Sequence, residues 1–219
     1  STAKKVIFLT FICFAILNLY IYGNYEINKN IKALDGVEEK VFVKVVSPNF
    51  DLTYGLTEKK IEKRLKKLIR YSNPDSGKET IFIWPEGVFT GYHLDEISKF
   101  KNLISDNFGK NHLILFGINS IDKNSNNYFN SLVIVTNRLE VLHQYDKKKL
   151  VPFGEFLPFE KTLNKFGLKK ITQGHGSFLK GKLQKNIEIG STNILPLISY
   201  EITFPEISQK STRQINRTV

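Results

Sequence analysis

"PLISYEITFPE", residues 196–206, begins apolar and ends acidic, and it sets a hydroxyl, an aromatic ring and a carboxylate in a row at Ser199, Tyr200 and Glu201. The run Ile194-Leu195-Pro196-Leu197-Ile198 before them predicts a core strand of a sheet covered on both faces, since unbroken apolar runs of this length suit fully buried strands. Ser199 then stands where that strand ends. Open α/β sheets keep their chemistry at such ends.

Working outward, the chain alternates strand and helix patterns. Strands are expected at 41–46, 80–84, 113–118 and 192–198, and helices at 57–71 and 94–108. Residues 132–136 and 139–145 flank Asn137-Arg138 and read as a hairpin closed by a two-residue turn. This order predicts an α/β domain: a mixed sheet with helices outside it. No internal repeat is present.

Composition sets the outer bounds. The 219 residues are 41% hydrophobic and 24% charged, enough to bury a sizeable core and without a disordered signature. The chain starts at Ser1 and has no Met, which reads as part of a longer protein. One cysteine, Cys13, excludes an intrachain disulfide and a Cys-based metal site. His93, His112, His143 and His175 lack ligand spacing and read as ordinary loop and surface residues, so no metal is expected. The net charge of +11 would suit nucleic acid, but much of it sits in Lys59, Lys60, Lys63, Arg64, Lys66, Lys67 and Arg70. These alternate with Ile61, Leu65 and Leu68 at helical spacing, the solvated face of an amphipathic helix. No nucleic-acid partner is expected, and weak attraction to anionic lipid is the better functional reading.

The N-terminus reads as a membrane segment. Residues 6–23, "VIFLTFICFAILNLYIYG", carry no charge and end among Tyr20, Tyr22 and Tyr25, close to the roughly 20 apolar residues that cross a bilayer. Lys4 and Lys5 precede the run, which puts the N-terminus in the cytoplasm and the rest outside. The run exceeds a signal-peptide core of about 7–15 residues, and no small-residue cleavage site follows. The expected division is a transmembrane helix and flank at 1–25, a polar linker at 26–40 and a domain at 41–219.

Two more polar groups close expected strands. Trp84-Pro85-Glu86-Gly87 follows Ile81-Phe82-Ile83, and proline stops ladder pairing so that Glu86 is offered at the sheet edge. Tyr145-Asp146-Lys147 closes the hairpin. With Ser199 they make a carboxylate, an ammonium and a nucleophile position, the set acyl transfer needs.

These segments, WPEG, YDKKKLVPFGEFLP and PLISYEITFPE, resemble the three signature segments of the nitrilase (carbon-nitrogen hydrolase) superfamily. The lysine followed by LVPFGEFLP, together with the N-terminal helix and Tyr128-Phe129-Asn130-Ser131-Leu132, most resembles the bacterial apolipoprotein N-acyltransferases. The resemblance covers residues 41–206. It implies a nitrilase-like α-β-β-α sandwich, incomplete at its C-terminus, behind one transmembrane helix. It also implies Glu86 as general base, Lys147 as oxyanion holder and Ser199 at the position of a nucleophilic cysteine. Glu155, Tyr200 and Glu201 match supporting residues, with Glu155 orienting Lys147. The implied reaction moves an acyl chain from a phospholipid, through an acyl-enzyme, to the N-terminal amine of a lipid-modified lipoprotein cysteine. It requires no cofactor, and it belongs on the outer, periplasmic side of the bacterial cytoplasmic (inner) membrane.

The chain departs from that family in two places. Serine stands where the family has cysteine, and an alcohol is a far weaker acid than a thiol, so activity of this chain is expected to be impaired. A Gly-x-Ser-x-Gly hydrolase does not fit, because Ile198 and Tyr200 flank Ser199. After Glu206 the residues lose apolar periodicity, and the family's remaining strands and final membrane helix are not seen. Two other readings stay open, a membrane-tethered amidase or nitrilase and a non-catalytic membrane-anchored binding module. Phe153, Phe156, Phe159 and Phe166 favour a bilayer surface over the amidase.

Overall fold

The structure, a computed structural model, describes residues 2–34, 41–51, 53, 55–159, 177–182, 186–190 and 192–206. Residues 35–40 of the expected linker, Phe166, His175 and the tail 207–219 lie outside them. The chain divides into two compact units, residues 1–40 and 41–219.

The described residues of the first unit form one helix, α1 (Thr2–Leu34), of 33 residues. Its stretch Ala3–Lys29 contains an 18-residue window with a mean hydropathy of 2.2 and is long and apolar enough to cross a membrane. Its polar interruptions turn back onto the helix, as Thr10 Oγ1 donates to the Val6 carbonyl at 2.9 Å and Asn18 Nδ2 to that of Phe14 at 2.7 Å. The helix overruns the expected boundary between residues 25 and 26. A lone Gly23 costs only about 1 kcal/mol in a helix, and no proline or second glycine follows before Gly36. The polar residues from Glu26 therefore continue the helix, with Lys29 paired to Glu26 at 3.8 Å.

The second unit is built on a five-stranded sheet ordered β1-β2-β3-β4-β5: β1 (Phe42–Val45), β2 (Thr80–Ile83), β3 (His112–Asp122), β4 (Asn127–Thr136) and β5 (Val141–Asp146). The pairs β1–β2 and β2–β3 are parallel, and β3–β4 and β4–β5 antiparallel. This is the expected mixed α/β sheet. Helix α2 (Glu58–Ser72) covers one face, burying Ile61, Leu65, Leu68, Ile69 and Ser72 along one stripe. Asn73 ends it in a left-handed conformation at φ 40°, its N–H returning to the Ile69 carbonyl. The second expected helix splits into a 3-10 segment, Leu94–Phe100, and a short α3, Lys101–Ser105. Both stay on the same face, where Phe82, Trp84, Phe89, Phe100, Phe108 and Phe116 share one core.

The opposite face meets a small second sheet, β6 (Ile187–Ile189) against β7 (Thr192–Ile194), through Ile187 on Leu115 and Ile134. Helix, sheet and sheet thus lie in layers within this unit. The hairpin turn differs from the expected two residues. Residues 137–140 form it, because Leu139 adopts φ 58° and its side chain is buried, with its N–H on the Thr136 carbonyl.

The expected strand at 192–198 is corrected as well. It ends at Ile194, and residues 195–198 join no ladder. Pro196 has no N–H to give, and the Ile198 N–H goes to the Glu201 carboxylate instead. His112, expected at the surface, is 1% exposed, with Nδ1 accepting from the Gly109 N–H.

Phe116 is fully buried, with ring contacts to Trp84 and Phe89. Replacing it by alanine is expected to cost about 3–5 kcal/mol in urea unfolding of the full chain in detergent micelles. Val141→Ala, at a side chain that is 43% exposed, should stay within about 0.5 kcal/mol of the parent.

Candidate active site

Glu86 is placed by the end of β2. The Trp84 N–H still reaches the Leu115 carbonyl at 2.8 Å, Pro85 ends the pairing, and Gly87 turns the chain at φ 80°. The Glu86 side chain lies across β3 at Gly117, where a Cβ would come within 3.2 Å of its Cγ. Arg64 of α2 fixes the turn from outside, donating to the Gly87 carbonyl at 2.9 Å and the Asp51 carbonyl at 2.7 Å. The sequence places Arg64 on a solvated helical face, so this role goes unseen there.

Lys147 follows β5, with its N–H on the Asn130 carbonyl at 2.8 Å. The residue is 1% exposed, and its Nζ meets Glu155 Oε1 at 2.8 Å. An ammonium so deeply buried would be costly unpaired. The segment after it, with Phe153 at φ 63° and the Phe153 N–H on the Phe156 carbonyl, folds Glu155 back towards the lysine. The second oxygen of Glu155 accepts the Val151 N–H at 2.9 Å.

Asn130 joins the two halves. Its Nδ2 donates to Glu86 Oε1 at 3.2 Å and to Glu155 Oε1 at 3.0 Å, so Glu86, Asn130, Glu155 and Lys147 form one chain of contacts. The sequence draws attention to residue 130 only through its motif. No rule of spacing foretells that a strand asparagine will face two carboxylates.

Ser199 stands apart from that chain. It is exposed, has φ 54°, and opens a 3-10 turn, Ser199–Thr203. No hydrogen bond joins its hydroxyl to Glu86 or Lys147 among the described residues. Its neighbour provides the link: the Tyr200 ring lies 5.3 Å from Lys147 Nζ, and the Tyr200 hydroxyl donates to the Leu150 carbonyl at 2.8 Å. Burial, with the nearby carboxylates of Glu155 and Glu201 next, raises the Tyr200 phenol above its ordinary pKa.

Glu201 is a staple. Fully buried, it accepts the Lys148 and Lys149 N–H groups at 2.8 Å each, the Ile198 N–H at 2.9 Å and the Tyr145 hydroxyl at 3.0 Å. It thereby ties the turn carrying Ser199 to the chain leaving β5, and this bonding competes with any strand at Ile198. Among the described residues no group of three or more His, Cys, Asp or Glu is placed to hold a metal.

An apolipoprotein N-acyltransferase of Bradyrhizobium diazoefficiens is 31% identical over 163 residues, 68% of this chain and 30% of that protein. One from Rhizobium leguminosarum bv. trifolii is 28% identical over 196 residues, covering 84% of this chain and 36% of its own. A third, from Wigglesworthia glossinidia brevipalpis, is 28% identical over 220 residues, covering 95% and 40%. The chain is a relative of these acyltransferases. It spans about a third of the length of the curated relatives it matches. A solved carbon-nitrogen hydrolase from Helicobacter pylori aligns at a TM-score of 0.49 with 14% identity, over 77% of this chain and 55% of that one. No protein-family model matches.

The Tyr145 phenol is pushed well above its ordinary pKa of 10.0, first by burial and then by the Glu201 carboxylate beside it. The folded state holds this proton more tightly than the unfolded chain. The stabilisation is therefore complete below the ordinary value and is lost as pH rises above it. Tyr145→Phe should cost about 1.5–3 kcal/mol at neutral pH, since the lost bond is to a charged group. In urea titrations the variant should also lose stability less steeply than the parent between pH 10 and about 11.5.

Proposed function

We propose that residues 41–206 carry an acyltransferase site in which Glu86 is the general base, Lys147 the oxyanion holder and residue 199 the nucleophile position. The observation that carries this reading is the buried Lys147 ammonium. It is held by Glu155 and linked through Asn130 to Glu86, beside the ring of the residue that follows Ser199. A fixed positive charge in a dry site stabilises an oxyanion far better than one in water, and it needs no reorganisation when charge develops. Glu155 and Asn130 orient the lysine and the base.

The reaction proposed uses a phospholipid ester. The residue 199 side chain gives its proton to Glu86 and bonds to the ester carbonyl carbon. Lys147 holds the resulting oxyanion, the bond from carbonyl carbon to glycerol oxygen breaks, and Glu86 returns the proton to that oxygen. In the second half an amine attacks the acyl-enzyme, gives its proton to Glu86 and leaves as an amide, and residue 199 regains its hydrogen. The N-terminal amine of a lipid-modified lipoprotein is the proposed acceptor. Helix α1 is proposed to anchor the chain in the bacterial inner membrane, with the site on the periplasmic side.

With serine at 199 the first step is slow, because a carboxylate cannot readily deprotonate an alcohol, and its hydroxyl is not bonded to the base. That feature also favours a second reading, a membrane-anchored binding module that keeps the site without turnover.

Both readings are tested with the full chain in detergent micelles containing labelled phospholipid. Ser199→Cys is expected to form a hydroxylamine-sensitive acyl-enzyme, seen by mass spectrometry, where the parent forms little. Adding Glu86→Gln should slow acylation by about 10²–10⁴-fold, the range for a lost general base. A folded Ser199→Cys chain that never acylates would overturn the acyltransferase reading and leave the binding module.

A further inference from the structure

Four polar side chains close a ring on the face of the sheet that Phe116 and Val133 share with the helices. Ser131 Oγ and Gln144 Nε2 both donate to Asp146 Oδ1, at 2.7 and 2.8 Å. Gln144 Nε2 also donates to Ser120 Oγ at 3.1 Å, and the two serine hydroxyls meet at 2.7 Å. An amide nitrogen only donates and an ionised carboxylate only accepts, so the Ser131 hydrogen is committed to Asp146 and Ser120 must donate to Ser131. Every hydrogen of the four groups then has one place. Ser131 is 0% exposed and Ser120 4%, so water does not compete for the bond between them.

The ring lies back to back with the candidate site. Successive side chains of a strand point to opposite faces, so Ser131 sits behind Asn130 on β4 and Asp146 behind Lys147 at the end of β5. Ser131 and Asp146 are paired across the ladder, and the Lys147 N–H takes the Asn130 carbonyl at 2.8 Å one step further on. Strand β5 is the edge of the five-stranded sheet, and its pairing with β4 shifts register between Ile134 and Val135. A slip of one residue at its end would turn Lys147 towards the helices and Asp146 into the site. The ring admits Asp146 at that place and excludes the lysine, because an ammonium offers no acceptor to Ser131 and Gln144.

We propose that Ser120, Ser131, Gln144 and Asp146 are positioning residues of the acyltransferase site. They form a register lock that keeps the Lys147 ammonium and the Asn130 amide on one face, where both reach Glu155. The proposal rests on the acyltransferase reading for the reaction it serves. None of the four faces the site, and their effect passes through Lys147, whose Nζ must stand where the oxyanion forms. A shift of about 1 Å in such a group can cost about 10²-fold in rate. Bonds rather than charge make the lock, since an asparagine at 146 would keep the accepting oxygen and lose only the charge.

The test uses the full chain with Ser199→Cys in detergent micelles containing labelled phospholipid, the acyl-enzyme being timed by mass spectrometry. Ser131→Ala opens the ring and is expected to lower the maximal acylation rate by about 10- to 100-fold, with the half-saturating lipid fraction unchanged. Asp146→Leu, of similar size, should fall with it, and Asp146→Asn should stay near the parent rate. Hydrogen–deuterium exchange supplies a readout free of turnover. The peptide spanning 144–149 should lose protection in Ser131→Ala and Asp146→Leu and keep it in Asp146→Asn, while 112–118 stays protected in all three. A parent rate in Ser131→Ala, an Asp146→Asn chain as slow as Asp146→Leu, or unchanged protection at 144–149 would overturn the proposal. Equal loss of protection at 112–118 and 144–149 in Ser131→Ala, the mark of general unfolding, would overturn it too. Should Asp146→Leu fail to fold, Ser131→Ala, which removes a single oxygen, decides alone. A Ser199→Cys parent that never acylates would sink the acyltransferase reading, and the exchange pattern would still decide whether the lock exists.

Discussion

The site depends on one buried carboxylate. Glu201 is closed off from water and receives three backbone N–H groups and a phenol. A charge taken from water is tolerated only when its lone pairs are filled, and here the donors come from both sides of the site. Tyr145 belongs to the end of β5, Lys148 and Lys149 to the chain leaving it, and Ile198 to the approach to Ser199. Removing the carboxylate would orphan buried donors in two segments about fifty residues apart, and nothing else in the described hydrogen bonding joins Ile198 to β5.

Around that staple, charges alternate from the exposed Glu86 to the buried Lys147. Glu86 and Glu155 share the Asn130 amide, Lys147 meets Glu155, and Tyr200 covers the lysine. Each buried charge is held by a fixed partner, so the polar cluster is set in place before any ligand arrives. The positive φ of Ser199 belongs to the same design. A left-handed conformation costs a non-glycine residue about 1–3 kcal/mol unless its surroundings enforce it. The Glu201 carboxylate on the preceding N–H is the enforcing contact.

The sequence made part of this legible. Glu86 and Lys147 could be found because proline and the hairpin end mark where ladders stop, and such marks are local. The mixed sheet and the amphipathic α2 followed from periodicity, which is also local. The run at 194–198 misled because apolar residues suit a loop packed under a sheet as well as a strand, and only the bonding of Ile198 decides between them. Arg64 was hidden among exposed lysines, although its partner Gly87 lies 23 residues away in the chain. Asn130 and the Glu201 staple were hidden because their partners are set by tertiary approach. The α1 helix was misjudged at its end, since polar composition alone does not stop a helix that has no glycine or proline to break it.

The order of the strands bears on how the molecule assembles. Strands β3, β4 and β5 form two successive antiparallel hairpins within residues 112–146, so their contacts close short loops. The parallel pairs β1–β2 and β2–β3 must await crossovers of a few dozen residues. The links from Leu179 to Tyr128 of β4 and from Glu201 to the Lys148 N–H close longer loops still. Loop-closure entropy sets non-local contacts late in folding. The meander is thus a scaffold that can exist first, and the polar cluster is completed last. A chain emerging from its start would hold Glu86 and Lys147 in place well before the turn at Ser199 could lock on to them.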